Sequence, residues 1–174
     1  MKLHRKAIWN KAIDSVQFLD LRIRWPLLSL KRLDSSLWLR TPRLIKIRDS
    51  LDKATNSDHD LLQETIGDAF FWALGAYEII RTLDQRCRSK HAGTALEAHF
   101  RDTKHFLERV RVPLAKLEPS RRHGVSDFSY ARAVLARGKG YAWGVSNGTN
   151  ILFTEASDRV VSTLTDYRLR AGPP

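Results

Sequence analysis

The sequence predicts a mainly α-helical fold, a helical bundle around an antiparallel pair of long helices at about residues 60–84 and 94–117, with a small β-hairpin over residues 141–154. Three observations predict it. Two long segments carry apolar residues at alternating steps of three and four, which places those residues on one side of a helix. A short basic turn joins the two segments. Farther along, Asn147-Gly148 separates two apolar runs, and Asn-Gly is typical of a hairpin turn.

The chain is expected to divide into a basic N-terminal arm, residues 1–40, and a single helical domain over residues 41–174 that ends in the hairpin and a last helix. Within the arm, a helix is expected over residues 5–20. Strict alternation of apolar and polar residues over 19–25 predicts a short, half-buried strand, which Pro26 would end.

Thr41-Pro42 is typical of a helix start. Proline has no backbone N–H, so at the first helical position, where an N–H would lack a partner within the helix, it leaves no donor unpaired. Apolar residues at helical spacing extend this helix to about residue 55. The Thr-Asn-Ser-Asp stretch at residues 55–58 is either a break or a helix cap.

The two paired helices carry the same pattern of steps. In the first helix the apolar seam is Leu62, Ile66, Ala69, Ala73, Ala76, Ile80 and Leu83, and in the second it is Leu96, Phe100, Thr103, Leu107, Val110, Leu114 and Leu117. Matched seams let two helices pack lengthwise. Because residues 69–80 are apolar on nearly all sides, further elements are expected to cover them on more than one side.

Pro113 lies in the second helix, which should bend or end near residues 109–113 because proline lacks an amide and clashes with the preceding turn. A basic loop is expected over residues 118–126. Ser126-Asp127 would then cap a short helix through Leu135.

The hairpin turn at Asn147-Gly148 is expected to be of type I′, whose twist matches that of the flanking strands. A last helix should follow, capped by Thr154 or Ser157. Its apolar face would consist of Val160, Val161, Leu164 and Tyr167.

The net charge of +11 is the global property that points to a partner. The first 53 residues hold 13 Lys and Arg against 5 Asp, a net of +8, whereas the remaining residues hold 17 against 14 acidic residues, a net of +3. A positive field attracts nucleic acid, anionic membrane or acidic proteins without choosing among them.

No stretch is apolar enough for a membrane span, and no apolar signal-peptide segment follows the basic start, so a cytoplasmic location is expected. The single Cys87 excludes an internal disulfide and a Cys-based zinc site. Its basic neighbours, Arg86, Arg88 and Lys90, would favour its thiolate.

No metal site and no cofactor are expected. His99 and His105 are six residues apart on one helix, which places the rings on different faces, whereas a shared zinc requires a spacing of four. Both are expected to be solvated. The segment Asp58-His59-Asp60 suggests helix capping.

Glu78 is the one residue charged at neutral pH between Asp68 and Arg81, inside the most apolar stretch. A buried carboxylate must be paired or neutral. Glu78 is therefore expected to reach the surface or to pair with Arg81 at i+3. The alternative is a buried ion pair with a base from the second helix, for which the candidates are Arg101, His105, Arg109 and Arg111.

Two spacings resemble the Arg-Asn-x-x-Ala-His motif of HEPN domains, helical bundles found in bacterial toxins and defence ribonucleases. Residues 111–116 run from Arg111 to Lys116 with Leu-Ala before the last residue, and Arg86 and His91 are also separated by four residues. The resemblance covers about 60 residues and implies cleavage of RNA without a metal, with the motif residues as catalytic groups. Lys116 in place of the histidine implies an inactive or binding-only member.

Candidate catalytic residues are therefore Arg86, His91, Arg111, Lys116 and Glu78, and the candidate anion-binding residues are Arg86, Arg88, Lys90, Arg121, Arg122 and His123. The leading hypothesis is a binding protein rather than an enzyme, with nucleic acid as its partner. One alternative is a HEPN-type ribonuclease. The other is a protein-interaction subunit that docks an acidic partner or forms a homo-oligomer.

Overall fold

The structure is a computed structural model that describes residues 2–16, 21–90, 94–124 and 126–171. In these ranges the chain forms five α-helices, α1 (Lys2–Val16), α2 (Arg24–Asp49), α3 (Asn56–Lys90), α4 (Ala95–Lys116) and α5 (Phe153–Ala171), and three strands, β1 (Asp127–Ala136), β2 (Gly140–Ser146) and β3 (Thr149–Leu152). The strands form one antiparallel sheet with β2 in the centre. The expected class, mainly α with a small β-hairpin, is confirmed.

The antiparallel helix pair is confirmed as α3 and α4. Lys104 in the first half of α4 pairs with Asp84 in the last third of α3 at 2.8 Å, and Arg111 farther along α4 lies 3.6 Å from Glu78, earlier on α3. The predicted seams are buried along their middle, from Ala69 to Leu83 and from Leu96 to Val110. Toward the other end of the pair, Ile66 and Leu117 are exposed, whereas Leu62 and Leu114 are half-buried against the core.

Aromatic packing joins α3 to the sheet. The Trp72 ring stacks on Trp143 of β2 with centroids 6.2 Å apart, and its edge meets Phe153 at the start of α5 at 5.2 Å. Trp72 is therefore fully buried, as expected for the apolar stretch 69–80. The stretch is covered on more than one side, as expected, by α2, α4 and the sheet with α5, whereas Phe71 is 62% exposed.

A buried polar cluster ties α1, α2 and α5 together. Arg5 donates to the fully buried carboxylate of Asp34 at 2.9 Å, and the hydroxyl of Ser157 bridges the two. The Arg5 guanidinium also lies 4.7 Å from the ring of Trp38. The expected boundary at residue 40 falls inside α2, and residues on both sides of it, such as Trp9 in α1, contribute to one buried core.

Two expected elements in the N-terminal third are wrong. In the described part of the predicted strand 19–25, residues 21–23 form a 3-10 turn and α2 begins at Arg24, because Pro26 fits the first turn of a helix; the first two positions lie outside the described residues. The helix expected to start at Pro42 is instead the second half of α2. Burial of Leu37 and Leu44 on both sides of Pro42 holds the helix continuous.

The capping role of Asp58 is confirmed. Its carboxylate accepts hydrogen bonds from the backbone amide of Thr55 at 3.0 Å and from the Thr55 hydroxyl at 2.8 Å, immediately before α3 begins at Asn56. These contacts, together with Arg43, lower the pKa of Asp58 to about 2.

Of the two alternatives at Pro113, a bend or an end of the helix, the end is excluded, and one further expectation in the C-terminal half is wrong. α4 does not end near residues 109–113 but continues to Lys116, where the amide of Leu117 donates to the carbonyl of Pro113. The short helix expected through Leu135 is strand β1, because β2 supplies backbone partners along it. Asp127 is an ion-pair residue rather than a cap.

The hairpin is confirmed, with a different turn. Gly148 has a φ of 75°, but the only non-glycine with positive φ among the described residues is Leu117. A type I′ turn needs positive φ at Asn147 too, so the turn is not of this type, and a register shift between Gly144 and Ser146 accommodates it. The last helix, α5, already begins at Phe153, which places both predicted caps inside it.

Among the described helices, none has the length and apolarity that a bilayer crossing requires. Cys87 is fully buried. Burial, together with the charges of Asp84 and Glu97, raises the pKa of its thiol to about 11, so the expected thiolate is disfavoured despite the basic neighbours.

Candidate nucleic-acid interface

Residues 119–154 contain a single acidic residue, Asp127. The same stretch carries five exposed cations, Arg121, Arg122, Arg132, Arg137 and Lys139. None of the ion pairs formed by residues that the structure describes involves any of these five side chains. No carboxylate among the described residues therefore lies within ion-pair distance of any of them.

The one carboxylate in this stretch is removed from the surface. Arg109 of α4 donates to both oxygens of Asp127, at 2.9 Å and 2.6 Å, and the Asp127 side chain is fully buried. The hydrogen bonds from Arg109 to Asp127 raise the pKa of Arg109, against the opposing effect of burial. The pair also fixes the start of β1 on α4.

Strand β1 presents an arginine between two aromatic rings. The guanidinium of Arg132 lies 4.3 Å from the ring centroid of Phe128 and 5.4 Å from that of Tyr130. Tyr130 is 49% exposed, so much of its ring is open to solvent. Arg132 is also exposed, and Phe128 is half-buried, so this group of side chains is reachable from solvent.

The β1–β2 turn brings the other two cations beside α2. Gly140, with a φ of 85°, comes so close to α2 that a Cβ there would lie 2.9 Å from the Thr41 methyl. Arg48 of α2 donates to the carbonyl of Leu135 at 3.1 Å. Beside this contact, Arg48, Asp49 and Arg137 line a polar cavity of about 210 Å³.

We refer to these side chains, on β1 and at its two ends, as the β1 surface: Arg121, Arg122, Phe128, Tyr130, Arg132, Arg137 and Lys139. A ten-residue strand spans about 30 Å, and β1 carries cations near both ends. Guanidinium and ammonium groups bind phosphate, and exposed aromatic rings stack on bases. The geometry thus combines the two kinds of contact that nucleic acid offers.

The predicted basic loop contributes part of this surface. Arg121 and Arg122 are exposed in a 3-10 turn just before β1, and His123 is half-buried there. The sequence reasoning missed Phe128, Tyr130, Arg132, Arg137 and Lys139. The alternation of Phe128, Tyr130 and Arg132, with no acidic residue from 128 to 154, was the available signal.

In the other predicted anion-binding cluster, Arg86, Arg88 and Lys90, the structure shows a carboxylate partner for Arg88. Arg88 and Lys104 both donate to the buried carboxylate of Asp84. Burial opposes ionisation of Asp84, but the donations from Lys104 and Arg88 outweigh it and lower its pKa. The charge of Arg88 is therefore matched within the protein. The side chain of Lys90 lies outside what the structure describes.

Glu78 pairs with Arg81 at 2.8 Å, as expected for the i+3 contact, and it lies 3.6 Å from Arg111 of α4. Its side chain is 45% exposed, so the buried ion pair is wrong although one of its predicted partners is near. Arg111 also covers the ring of Tyr77 at 5.0 Å. Glu78 and Arg111 are the two candidate catalytic residues that the structure brings together.

Arg86 and Lys116 are far apart. Asp84 faces Lys104 and Glu78 faces Arg111, so Arg86 lies beside the first half of α4, whereas Lys116 lies at its end. With a rise of 1.5 Å per residue, they are about 20 Å apart along the helix pair. Lys116 is exposed and close to Glu118, at 3.6 Å. His91 lies outside the described residues.

The helix-face histidines are less solvated than expected. His99 lies 3.5 Å from Asp166 of α5, and His105 contacts Glu108 at 2.9 Å, with 28% and 20% of their side chains exposed. Tyr77 also donates to Glu108, at 3.4 Å. Within the described ranges, no group of three His, Cys, Asp or Glu side chains is arranged to hold a metal ion.

Comparison with known proteins gave no relative: no family model, no curated protein and no solved structure matches the chain.

Proposed function

We propose that this chain binds nucleic acid through the β1 surface. The observation that carries the proposal is the position of Arg132 between Phe128 and Tyr130, on an exposed edge strand whose one acidic neighbour is buried against Arg109. In this proposal the cations at the two ends of β1 hold the phosphate backbone, and the ring of Tyr130 stacks on a base.

The local balance of charge supports this location. Arg40, Arg43 and Arg81 pair with carboxylates at 2.8 Å, whereas the five cations of the β1 surface form no ion pair and belong to a stretch whose one carboxylate is buried. A polyanion is attracted to the region where the potential is not cancelled locally.

The stacking rings favour single strands. In a duplex the bases stack on each other, and a protein ring reaches a base face only where the strand is open. The proposed ligand is therefore single-stranded RNA or DNA, and duplexes should bind through phosphate contacts alone.

The test measures fluorescence anisotropy of labelled single-stranded and duplex oligonucleotides over a range of salt concentrations. Affinity should fall steeply with salt. Arg137→Gln should weaken binding severalfold and reduce the salt slope by about one, because it removes one phosphate contact. Arg81→Gln changes the net charge equally, at a cation paired with Glu78, and serves as the control. Equal losses in both variants, or no binding at low salt, would overturn the proposal.

A second variant isolates the stacking contact. Tyr130→Ala should weaken single-strand binding by about tenfold, within the range for one stacked base, and leave duplex binding unchanged. Running the same samples on a denaturing gel tests the ribonuclease alternative, which predicts cleaved RNA without added metal. Cleavage that is lost in Arg111→Ala would replace the binding proposal with that of an enzyme.

A further inference from the structure

The cavity beside the β1–β2 turn is lined by three charged side chains. Its volume is about 210 Å³, and Arg48 and Asp49 in the last turn of α2 line it together with Arg137 of the turn. Asp49 and Arg137 are exposed and Arg48 is half-buried, so a ligand can reach the lining from solvent. Because Arg137 also belongs to the β1 surface, the cavity extends that surface onto α2.

Hydrogen bonds fix the backbone that carries the two arginines. The Nε of Arg48 donates to the carbonyl of Leu135 at 3.1 Å, which holds this guanidinium beside the end of β1. Arg137 lies in a tight turn, which the amide of Lys139 closes by donating to the carbonyl of Ala136 at 3.0 Å. Both cations are therefore carried by backbone that is ordered before a ligand arrives, and this lowers the entropic cost of binding.

The charged groups of the lining are not paired with one another. Among the described residues, no ion pair is formed by Arg48, Asp49 or Arg137, although all three line one cavity. Guanidinium donors and carboxylate acceptors are therefore both open to a ligand. The lining carries two positive charges and one negative charge, so a single phosphodiester, with one negative charge, neutralises the difference. The end of a helix carries a partial negative charge, which the two guanidinium charges outweigh.

The size of the cavity suits one part of a nucleotide. Its volume of about 210 Å³ is several times the roughly 30 Å³ of one water in the liquid. It is smaller than the roughly 300–1,000 Å³ of a pocket that encloses a whole small molecule. A phosphate and the sugar next to it would occupy the cavity, and the base would stay outside. In RNA that sugar carries a 2′-hydroxyl, which donates one hydrogen bond to an acceptor such as a carboxylate.

We propose that this cavity selects RNA over DNA. The inference rests on the proposed function and names the class of its ligand. Arg48 and Arg137 bind one phosphate of the strand, and Asp49 accepts the hydrogen of the adjacent ribose 2′-hydroxyl. DNA lacks this hydroxyl, so in a DNA complex the carboxylate would lie beside a phosphate without a donor to offset the repulsion.

The test titrates labelled single strands of one sequence with the full chain at one low salt concentration and measures fluorescence anisotropy. The RNA and DNA strands both contain uracil, so they differ only in the 2′-hydroxyl. RNA should bind roughly tenfold tighter, the lower end of what one hydrogen bond to a charged group contributes. A 2′-fluoro strand keeps the sugar conformation of RNA but has no hydroxyl donor, and it should bind like DNA.

The Asp49→Ala variant isolates the carboxylate. Its affinities for RNA and DNA should both rise, because a negative charge is lost, so the ratio of the two affinities is the readout. That ratio should fall from about ten to about one. Asp52→Ala is the matched control, because it removes the same charge at an exposed residue outside the cavity. Its ratio should equal that of the unsubstituted protein.

Equal affinity for RNA and DNA, with a steep salt dependence, would overturn this inference and leave the proposed function in place. A preference for RNA that survives Asp49→Ala would overturn it too, and so would a 2′-fluoro strand that binds as tightly as RNA. In both cases the selection would not depend on a hydrogen bond to Asp49. No binding of either strand at low salt would overturn the inference together with the proposed function.

Discussion

Arg109 and Asp127 are joined by two hydrogen bonds between α4 and the first residue of β1. The contact has two consequences. It anchors the sheet to the helix pair, and it buries the one carboxylate in a 36-residue stretch whose five cations are exposed. The stability of this region and the charge of the β1 surface thus depend on the same ion pair.

Asp127→Asn should lower the free energy of unfolding by about 3 kcal/mol, because it leaves the guanidinium of Arg109 without its charged partner in a largely buried position. Glu118→Gln is the matched control: it changes the net charge equally, but at a half-exposed carboxylate 3.6 Å from Lys116. Its loss should stay below about 1 kcal/mol. Urea unfolding followed by tryptophan fluorescence measures both, and equal losses would contradict the structural role of the pair.

Gly140→Ala should destabilise the protein more than Gly138→Ala. Both glycines have positive φ, 85° and 66°, so each substitution costs about 1–2 kcal/mol of backbone strain. An added Cβ at Gly140 would in addition lie 2.9 Å from the Thr41 methyl, whereas Gly138 has open space around it. Thermal unfolding should separate the two variants by about 1 kcal/mol.

The steric origin of that difference can be checked directly. Thr41→Ser removes the methyl group but keeps the hydroxyl that donates to the carbonyl of Leu37. Combined with Gly140→Ala, it should bring the stability back to that of Gly138→Ala. A difference that persists in the double variant would mean that the clash with Thr41 is not its cause.

Asp34→Asn should cost about 3 kcal/mol or more, because Arg5 would remain buried between α1 and α5 without its charged partner. Arg5 also contacts Asp158 at 2.5 Å, but that carboxylate is 62% exposed. Asp158→Asn should therefore cost less than about 1 kcal/mol. Chemical unfolding of both variants tests this ranking, and the reverse order would show that the exposed partner holds Arg5 in place.

Stability should fall as the pH drops from about 4 to about 2, in part through Asp58. Its pKa is about 2 in the folded protein against 3.8 for an unperturbed Asp. A carboxyl group with a lowered folded pKa stabilises the fold above its unfolded pKa, and this stabilisation is lost as the pH falls through the folded pKa. The urea midpoint of the Asp58→Asn variant should therefore depend less on pH in this window than the midpoint of the unsubstituted protein.

Asp60→Asn is the control for that measurement, because Asp60 is exposed and only two residues away. Its pH profile should match that of the unsubstituted protein. If Asp58→Asn and Asp60→Asn give the same profile, the contact of Asp58 with Thr55 does not carry the acid-side dependence.

The long helix pair, the hairpin and the cap at Asp58 follow from the sequence, because each depends on neighbours within about four residues. The seams of α3 and α4 repeat at helical spacing, Asn147-Gly148 reverses the chain locally, and Asp58 caps the amide of Thr55 three residues away. Such local patterns indicate which conformation the backbone prefers and which face of the helix or strand is apolar.

Residues 127–136 illustrate what those patterns leave open. The sequence favoured a helix there, but β2 supplies the backbone partners that make it a strand. Pro42 likewise predicted a helix start, but α2 continues through this position because Leu37 and Leu44 on either side of it pack in the core. Since strand pairing and core packing join distant parts of the chain, short-range periodicity does not encode them.

The sequence by itself determined the class of fold, the basic charge and the principal helices. Only the tertiary structure decided which charges remain at the surface. Asp127 is matched by a residue 18 positions away and Asp34 by one 29 positions away, while Arg132 lies between two rings on an edge strand. Ion pairs and cation–π contacts require atoms a few ångströms apart, and only the folded chain sets those distances.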